Sequence, residues 1–387
     1  MRARRSEFLI FGSPALGEEE IAEVVATLRS GWLGTGPRVE RFEAEFRRYI
    51  GCAHAIALSS GTAALALALE TLDIGAGDEV ITSPLTFSAT ANVIVHRRAR
   101  PVFADVDRRT MNLDPQAVAD AVTPRTKAIL PVHLAGRPCD MDAMLSIARQ
   151  YGLSVVEDAA HAVEARSRGR QVGAIGDFTA FSFYVTKNLV TGEGGMLTTA
   201  NSTWAEEIRL KALHGISRDA WKRYSAEGFQ PYDTLYAGYK YNMTDLQAAL
   251  GIHQLSRLET NLAIRERHWR RYDAAFASHP ALTIPSPICP GDRHARHLYT
   301  LLLEPDLLGF SRNEFIIRLK AENIGAGIHF TPLHLHSFYT KTFGYQRGQY
   351  PVAEFIGDRT VSLPLSAKLT DEDVEDVIAT VQQVLER

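Results

Sequence analysis

The chain has 387 residues, 45% of them hydrophobic and 22% charged, with a formal net charge of −3 at pH 7. Near-neutral balance without a long single-sign run argues against nucleic acid as a partner, and no stretch approaches the ~20 apolar residues of a membrane span. Length and apolar content suffice for one large core and a second, smaller one.

Near the start, the apolar run behind Arg4-Arg5 ends at Phe11 and gives way to Gly12, Ser13 and Pro14. That is shorter than the roughly 7–15 apolar residues of an export signal. Cys52, Cys139 and Cys289 are scattered and lack metal-ligand spacing, so free thiols, no metal site and a cytoplasmic location are expected.

From about residue 55 to 200, short β-branched runs alternate with helical ones. Strands are expected at 55–59, 79–82, 101–104, 128–132 and 154–157, with helices such as 62–72 and 141–151 between them. Continuous apolar strands separated by helices imply an α/β fold with a mostly parallel sheet covered on both faces. Ligands of such sheets gather outside the carboxyl ends of the strands.

The alternation fades after residue 200. One long helix is expected over 243–277, with Thr244 as cap and Asp245 in its first turn. Strands follow at 298–303 and 326–330, with a helix at 311–322 between them. A last helix begins behind Thr370, with Asp373 three residues on as a capping box. Its Val374, Val377, Ile378, Val381, Val384 and Leu385 keep helical spacing. The expected division is an N-terminal segment and large domain over 1–254, and a smaller α+β domain over 255–387.

Two residues carry the chemistry. Asp158 closes the apolar run Val155-Val156-Glu157-Asp158, and Lys187 follows Phe181-Ser182-Phe183 by a few residues. Such an amine and carboxylate suit pyridoxal phosphate, which needs a lysine for a Schiff base and an aspartate to keep its ring nitrogen protonated. The plainer readings are a solvated surface lysine and a helix N-cap, a position Asp favours. Glu157 reads as a structural neighbour.

Ser59-Ser60-Gly61-Thr62 opens a helix directly after a strand. Free N–H groups there suit a phosphate, although simple capping by Ser60 explains the same residues. Ser182 adds a hydroxyl. Gly192-Glu193-Gly194-Gly195 permits close backbone approach. Phe87 either stacks on a planar ring or belongs to the core. His161, three residues after Asp158 and one helical turn away, either meets the ring's phenolic oxygen or is structural.

Together with Ser30-Gly31-Trp32-Leu33-Gly34-Thr35-Gly36-Pro37, Gly238-Tyr239-Lys240-Tyr241-Asn242 and Ser362-Leu363-Pro364-Leu365, these segments resemble the DegT/StrS family of nucleotide-sugar aminotransferases nearly end to end. The resemblance implies the fold-type I pyridoxal phosphate architecture. It makes Lys187 the Schiff-base lysine and Asp158 the ring-nitrogen partner, with Gly61, Thr62 and Ser182 at the phosphate and Phe87 on the ring. It also implies a homodimer with shared active sites, in which Lys240 or Asn242 reaches the partner's cofactor. Many members have Gly-x-Asn-x-Arg at that segment, so which of the two makes the contact stays open.

The implied reaction moves an amino group from L-glutamate, leaving 2-oxoglutarate, to a nucleotide-linked 4-keto sugar. Trp32 and His329 are candidate substrate contacts; packing against the small domain and a structural strand-end histidine are the alternatives. A 3-keto nucleotide sugar or a keto-cyclitol is the competing acceptor. A non-catalytic cofactor-binding regulator is disfavoured by the presence of both Lys187 and Asp158.

Overall fold

In the computed structural model, residues 5–217 and 233–386 are described; Arg4 of the Arg4-Arg5 pair lies outside them. The apolar runs assemble as strands β1 (His54–Leu58), β2 (Glu79–Thr82), β3 (Arg100–Phe103), β4 (Thr126–Leu130) and β5 (Ser154–Asp158). A short hairpin of β6 (Arg166–Ser167) and β7 (Arg170–Gln171) precedes β8 (Phe178–Ser182) and β9 (Gly195–Thr199). Seven of these form one sheet in the order β1-β9-β8-β5-β4-β2-β3. β9 is antiparallel to both its neighbours, and every other pairing is parallel. The carboxyl ends of β1, β2, β4, β5 and β8 therefore share one edge.

Alternation along each strand sends side chains to two covered faces. Phe178 and Ala180 pack with Leu67 and Leu69 of the helix Gly61–Thr71 on one face. Phe181 packs on the other with Phe42 and Phe46 of the helix Pro37–Ile50. The Phe46 and Phe181 rings meet edge-on at 5.1 Å, a favoured aromatic geometry. β9, which the sequence pattern did not single out, is buried at every position.

A smaller antiparallel sheet of β10 (Leu282–Thr283), β11 (Tyr299–Leu303) and β12 (Thr360–Leu363) forms toward the C-terminus. Helices Leu258–Phe276, Arg312–Ala321 and Asp371–Leu385 contribute Tyr272, Phe315, Val377 and Val381 to its core. Thr370 and Asp373 form the capping box expected of the last helix. Among the described residues no helix is long and apolar enough to cross a membrane.

Two expected elements differ. The long helix over 243–277 is two helices, Asp245–Ser256 and Leu258–Phe276, broken at Arg257 (φ −101°, ψ 2°). Its start is as read, with Thr244 and Gln247 in a reciprocal cap. Apolar periodicity continues across the break, so no breaker residue marks it. The expected strand over 326–330 is absent. Gly325 donates its N–H to Leu9, and Gly327 forms an isolated bridge with Ser362. Split between two partners, the backbone there cannot run a continuous ladder. The same split places Phe11 and Gly12, close behind Leu9, beside the segment carrying His329.

Candidate active site

The shared carboxyl edge opens into a cavity of 820 Å3, as expected for a parallel sheet. Asp158 ends β5 on its floor with only 6% of its surface exposed. The Thr90 hydroxyl donates to Oδ2 (2.8 Å) and the Ala160 N–H to Oδ1 (3.1 Å). Turns rather than a helix follow β5, so Asp158 is not the helix cap that its position allowed. Burial pushes its pKa up, against the pull of Thr90, Ala160 and Lys187.

Lys187 lies in the loop between β8 and β9, its backbone N–H held by the Tyr184 carbonyl (2.9 Å). Burial brings its amine down to about 8, with Asp158 pulling the other way. A desolvated amine facing a buried carboxylate is a common arrangement at reactive sites.

Ser60 caps the helix Gly61–Thr71 by accepting from the Ala63 N–H (3.0 Å). Capping and cavity lining thus coexist, because Gly61 and Thr62 both face the cavity with the free first-turn amides of a helix start. A Cβ at Gly61 would come within 2.9 Å of the Ser182 Cβ, so glycine lets β8 and the helix start close up. Phe87 lines the cavity with 61% of its surface exposed and is not a core residue.

His161 also faces the cavity, with its Nδ1 accepting from the Ala135 N–H (3.3 Å). His329 Nδ1 pairs with the Ser362 hydroxyl (2.8 Å), and its ring stacks on Phe11 at 5.4 Å. Burial, reinforced by the Lys187 charge, holds His161 well below the ordinary imidazole range and brings His329 down to about 4.

Three expected site residues stand apart from this cavity. Trp32 is half exposed, donates its indole N–H to the Thr35 carbonyl (3.0 Å) and covers Gly36. Asn242 donates to the Thr35 hydroxyl (2.7 Å). Exposed Lys240 bridges Leu213 through its backbone. None of the three lines the cavity formed by the described residues of this chain. Conversely, Phe11, Gly12, Thr90 and His297 are at the site without a local signal in the sequence. Only Thr90, one helical turn beyond Thr86, had a spacing that could have drawn notice.

A profile of the DegT/DnrJ/EryC1/StrS aminotransferase family matches residues 14–382. The chain belongs to that family. It is 52% identical over 386 residues to the spore coat polysaccharide biosynthesis protein SpsC of Bacillus subtilis, covering 100% of this chain and 99% of that protein. Among solved structures it resembles a Streptococcus pneumoniae protein assigned as a sugar aminotransferase, in both its PLP and PMP forms. The TM-score is 0.90 at 35% identity, over 98% of this chain and 99% of that one. It also resembles PseC of Helicobacter pylori, an aminotransferase of pseudoaminic acid biosynthesis, with a TM-score of 0.91 at 27% identity, over 98% and 100% of the chains.

The protein is thus a pyridoxal phosphate-dependent aminotransferase of fold-type I. Its cavity fits the cofactor on three counts. The buried Asp158 carboxylate has one donor on each oxygen and, among the described residues, no direct ion pair, a demand that a protonated ring nitrogen would meet. The Gly61–Ser182 approach leaves a backbone-lined cradle at a helix start, suited to a phosphate. Phe87 presents a largely exposed aromatic ring to the same cavity.

Proposed function

We propose that this aminotransferase moves nitrogen from L-glutamate to a nucleotide-linked 4-keto sugar. The observation that carries the reading is the meeting of Lys187, Asp158 and His329 on one 820 Å3 cavity, roomy enough for a ring cofactor with a further small molecule beside it. The relatives support a sugar as that molecule: one acts in spore coat polysaccharide biosynthesis and another in pseudoaminic acid biosynthesis. Within the family, Lys240 with Asn242 and the segment Gly327-Ile328-His329-Phe330 resemble the UDP-4-amino-4-deoxy-L-arabinose–oxoglutarate aminotransferase, which favours carbon 4.

Pyridoxal phosphate supplies the aldehyde that carries the amine and the ring that accepts electrons. In this reading Asp158 holds the ring nitrogen protonated, while Gly61, Thr62 and Ser182 bind the phosphate. Phe87 would cover the ring, and His161 would meet its phenolic oxygen. Lys187 Nζ, with its lowered pKa, takes up and returns the substrate proton. His329 binds a polar group of the sugar.

We further propose a homodimer in which Trp32, Lys240 and Asn242 serve the partner's site. Support comes from their position outside this chain's cavity and from exposed apolar Trp32, Leu33, Leu235 and Tyr236, a composition typical of interfaces. The large and small units would divide near 254/255, close to the helix break at Arg257.

Assay of a panel of nucleotide 4-keto sugars, 3-keto sugars and keto-cyclitols with glutamate tests the substrate. Turnover confined to 3-keto sugars or cyclitols would overturn it. Borohydride reduction followed by peptide mapping tests the site, and an adduct on any lysine other than Lys187 refutes the assignment.

A further inference from the structure

Besides His161 and His329, His297 and His336 line the cavity. One residue, Ala135, meets two of the four. Its N–H donates to His161 Nδ1 (3.3 Å), and its carbonyl accepts from the His297 backbone N–H (3.1 Å). Gly136, at φ 95°, lets these segments cross. A Cβ there would lie 2.8 Å from the His161 carbonyl and 3.0 Å from the Ala295 side chain.

The His297 ring is set by Asn188, the residue after Lys187, with Nδ1 and the amide Oδ1 3.0 Å apart. The direction of that hydrogen bond follows from the other end of the amide. Asn188 Nδ2 lies 2.9 Å from Glu164 Oε2 and 2.9 Å from the Ala295 carbonyl, both acceptors. Glu164 is itself paired with buried Arg265, which also bonds the carbonyls of Ala295 and Arg296. Asn188 Oδ1 can then only accept, so the hydrogen of His297 sits on Nδ1. Burial, then the charge on Lys187, pushes His297 well below the usual imidazole pKa. The ring is neutral, its Nε2 carries a lone pair, and among the described residues that atom has no hydrogen-bond partner. His161, accepting at Nδ1, has the opposite tautomer.

We propose that His297 Nε2 is a fixed hydrogen-bond acceptor for an O–H or N–H group of the substrate near Lys187, and that Asn188 is the positioning residue that sets its tautomer. A buried acceptor left without a donor is costly, so this atom selects for a hydrogen-bearing polar group and against an apolar one. Fixing the tautomer through a hydrogen bond at the opposite ring nitrogen is a general way to aim an imidazole.

Histidine-selective 15N labelling reads the tautomer directly in the cofactor-free protein, with His297→Gln identifying the signals. His297 should be neutral with its hydrogen on Nδ1 between about pH 6 and 8. Asn188→Asp puts a carboxylate at His297 Nδ1, beside Glu164, and should make His297 an imidazolium at neutral pH against the charges of Lys187 and Arg265; His329 and His294 also face it but are held below the usual imidazole range and are neutral there. That variant should lose kcat/KM by about 10- to 100-fold, the scale of one lost hydrogen bond, and regain activity as rising pH strips the extra proton. His297→Leu should lose a similar factor with no recovery at high pH, while still binding pyridoxal phosphate. Hydrogen on Nε2 in the unaltered protein, or wild-type kcat/KM in His297→Leu, overturns the proposal even if Asn188→Asp does not fold.

Discussion

Glu157 and Asp158 are adjacent carboxylates on one strand, both buried, yet they face opposite sides of the sheet and live in different chemistry. Glu157 is saturated by the protein. Its Oε1 accepts from the Gly176 N–H (2.8 Å) and the Thr179 hydroxyl (2.7 Å), and its Oε2 pairs with His133 Nε2 at 2.9 Å. His133 Nδ1 in turn accepts from the Cys139 N–H (3.0 Å), which leaves the ring hydrogen on Nε2 for Glu157. Asp158 has one short donor on each oxygen and a cavity in front of it. The contrast teaches that a buried acid becomes a working group when the fold leaves part of its demand for a partner unmet.

The largest effect should come from Asp158→Asn. With the proposed ring-nitrogen partner gone, kcat should fall by about 10²-fold or more, the scale of one lost electrostatic contact at a reacting centre. The isosteric amide should leave the melting temperature nearly unchanged. Steady-state kinetics and a thermal melt on the same sample check this, and near-normal turnover would erase the contrast with Glu157.

Glu157→Gln should do the reverse. Gln cannot accept from His133 Nε2–H and from the Gly176 and Thr179 donors without turning its NH2 toward one of them. Unfolding free energy should drop by ~1–3 kcal/mol, the cost of a buried donor left unpaired. The kcat of the folded fraction should stay within about twofold of the parent, far from the loss expected at Asp158. Denaturant melts combined with active-site titration separate the two, and a kcat loss matching Asp158→Asn would show both acids acting at the site.

A smaller effect concerns Lys187, across the cavity from Asp158. Its folded pKa is depressed to about 8 against ~10.4 unfolded. Between those values the unfolded chain binds more protons, so stability conferred by this group rises with pH through that window. Lys187→Met removes a buried ammonium and should raise the melting temperature of the cofactor-free protein at pH 7. The gain should shrink steadily from about pH 8 to 10.4. A pH-independent difference would mean that the amine is not desolvated.

Much of the site was legible because it is local. Asp158, Gly61 and Ser182 each sit at or just beyond the end of a short apolar run, and a parallel sheet brings such ends to one edge whatever the loops do. The strand pattern, the reciprocal cap at Thr244 and the final helix behind Thr370 were readable for the same reason, since each depends on neighbours within a few positions.

What the chain alone determined is therefore a parallel α/β sheet with an amine, a carboxylate and a helix start gathered at one end. Tertiary structure decided the rest. It broke the helix at Arg257, where apolar spacing runs on without a marker. It divided the backbone of 325–327 between Leu9 and Ser362, so that no strand formed. It kept Trp32, Lys240 and Asn242 out of this chain's cavity and brought Phe11 and His297 in from distant segments. Spacing reports which face a residue shares with its near neighbours. Which atom of His297 is free to bind depends on Asn188, Glu164 and Arg265, scattered along the sequence and adjacent only after folding.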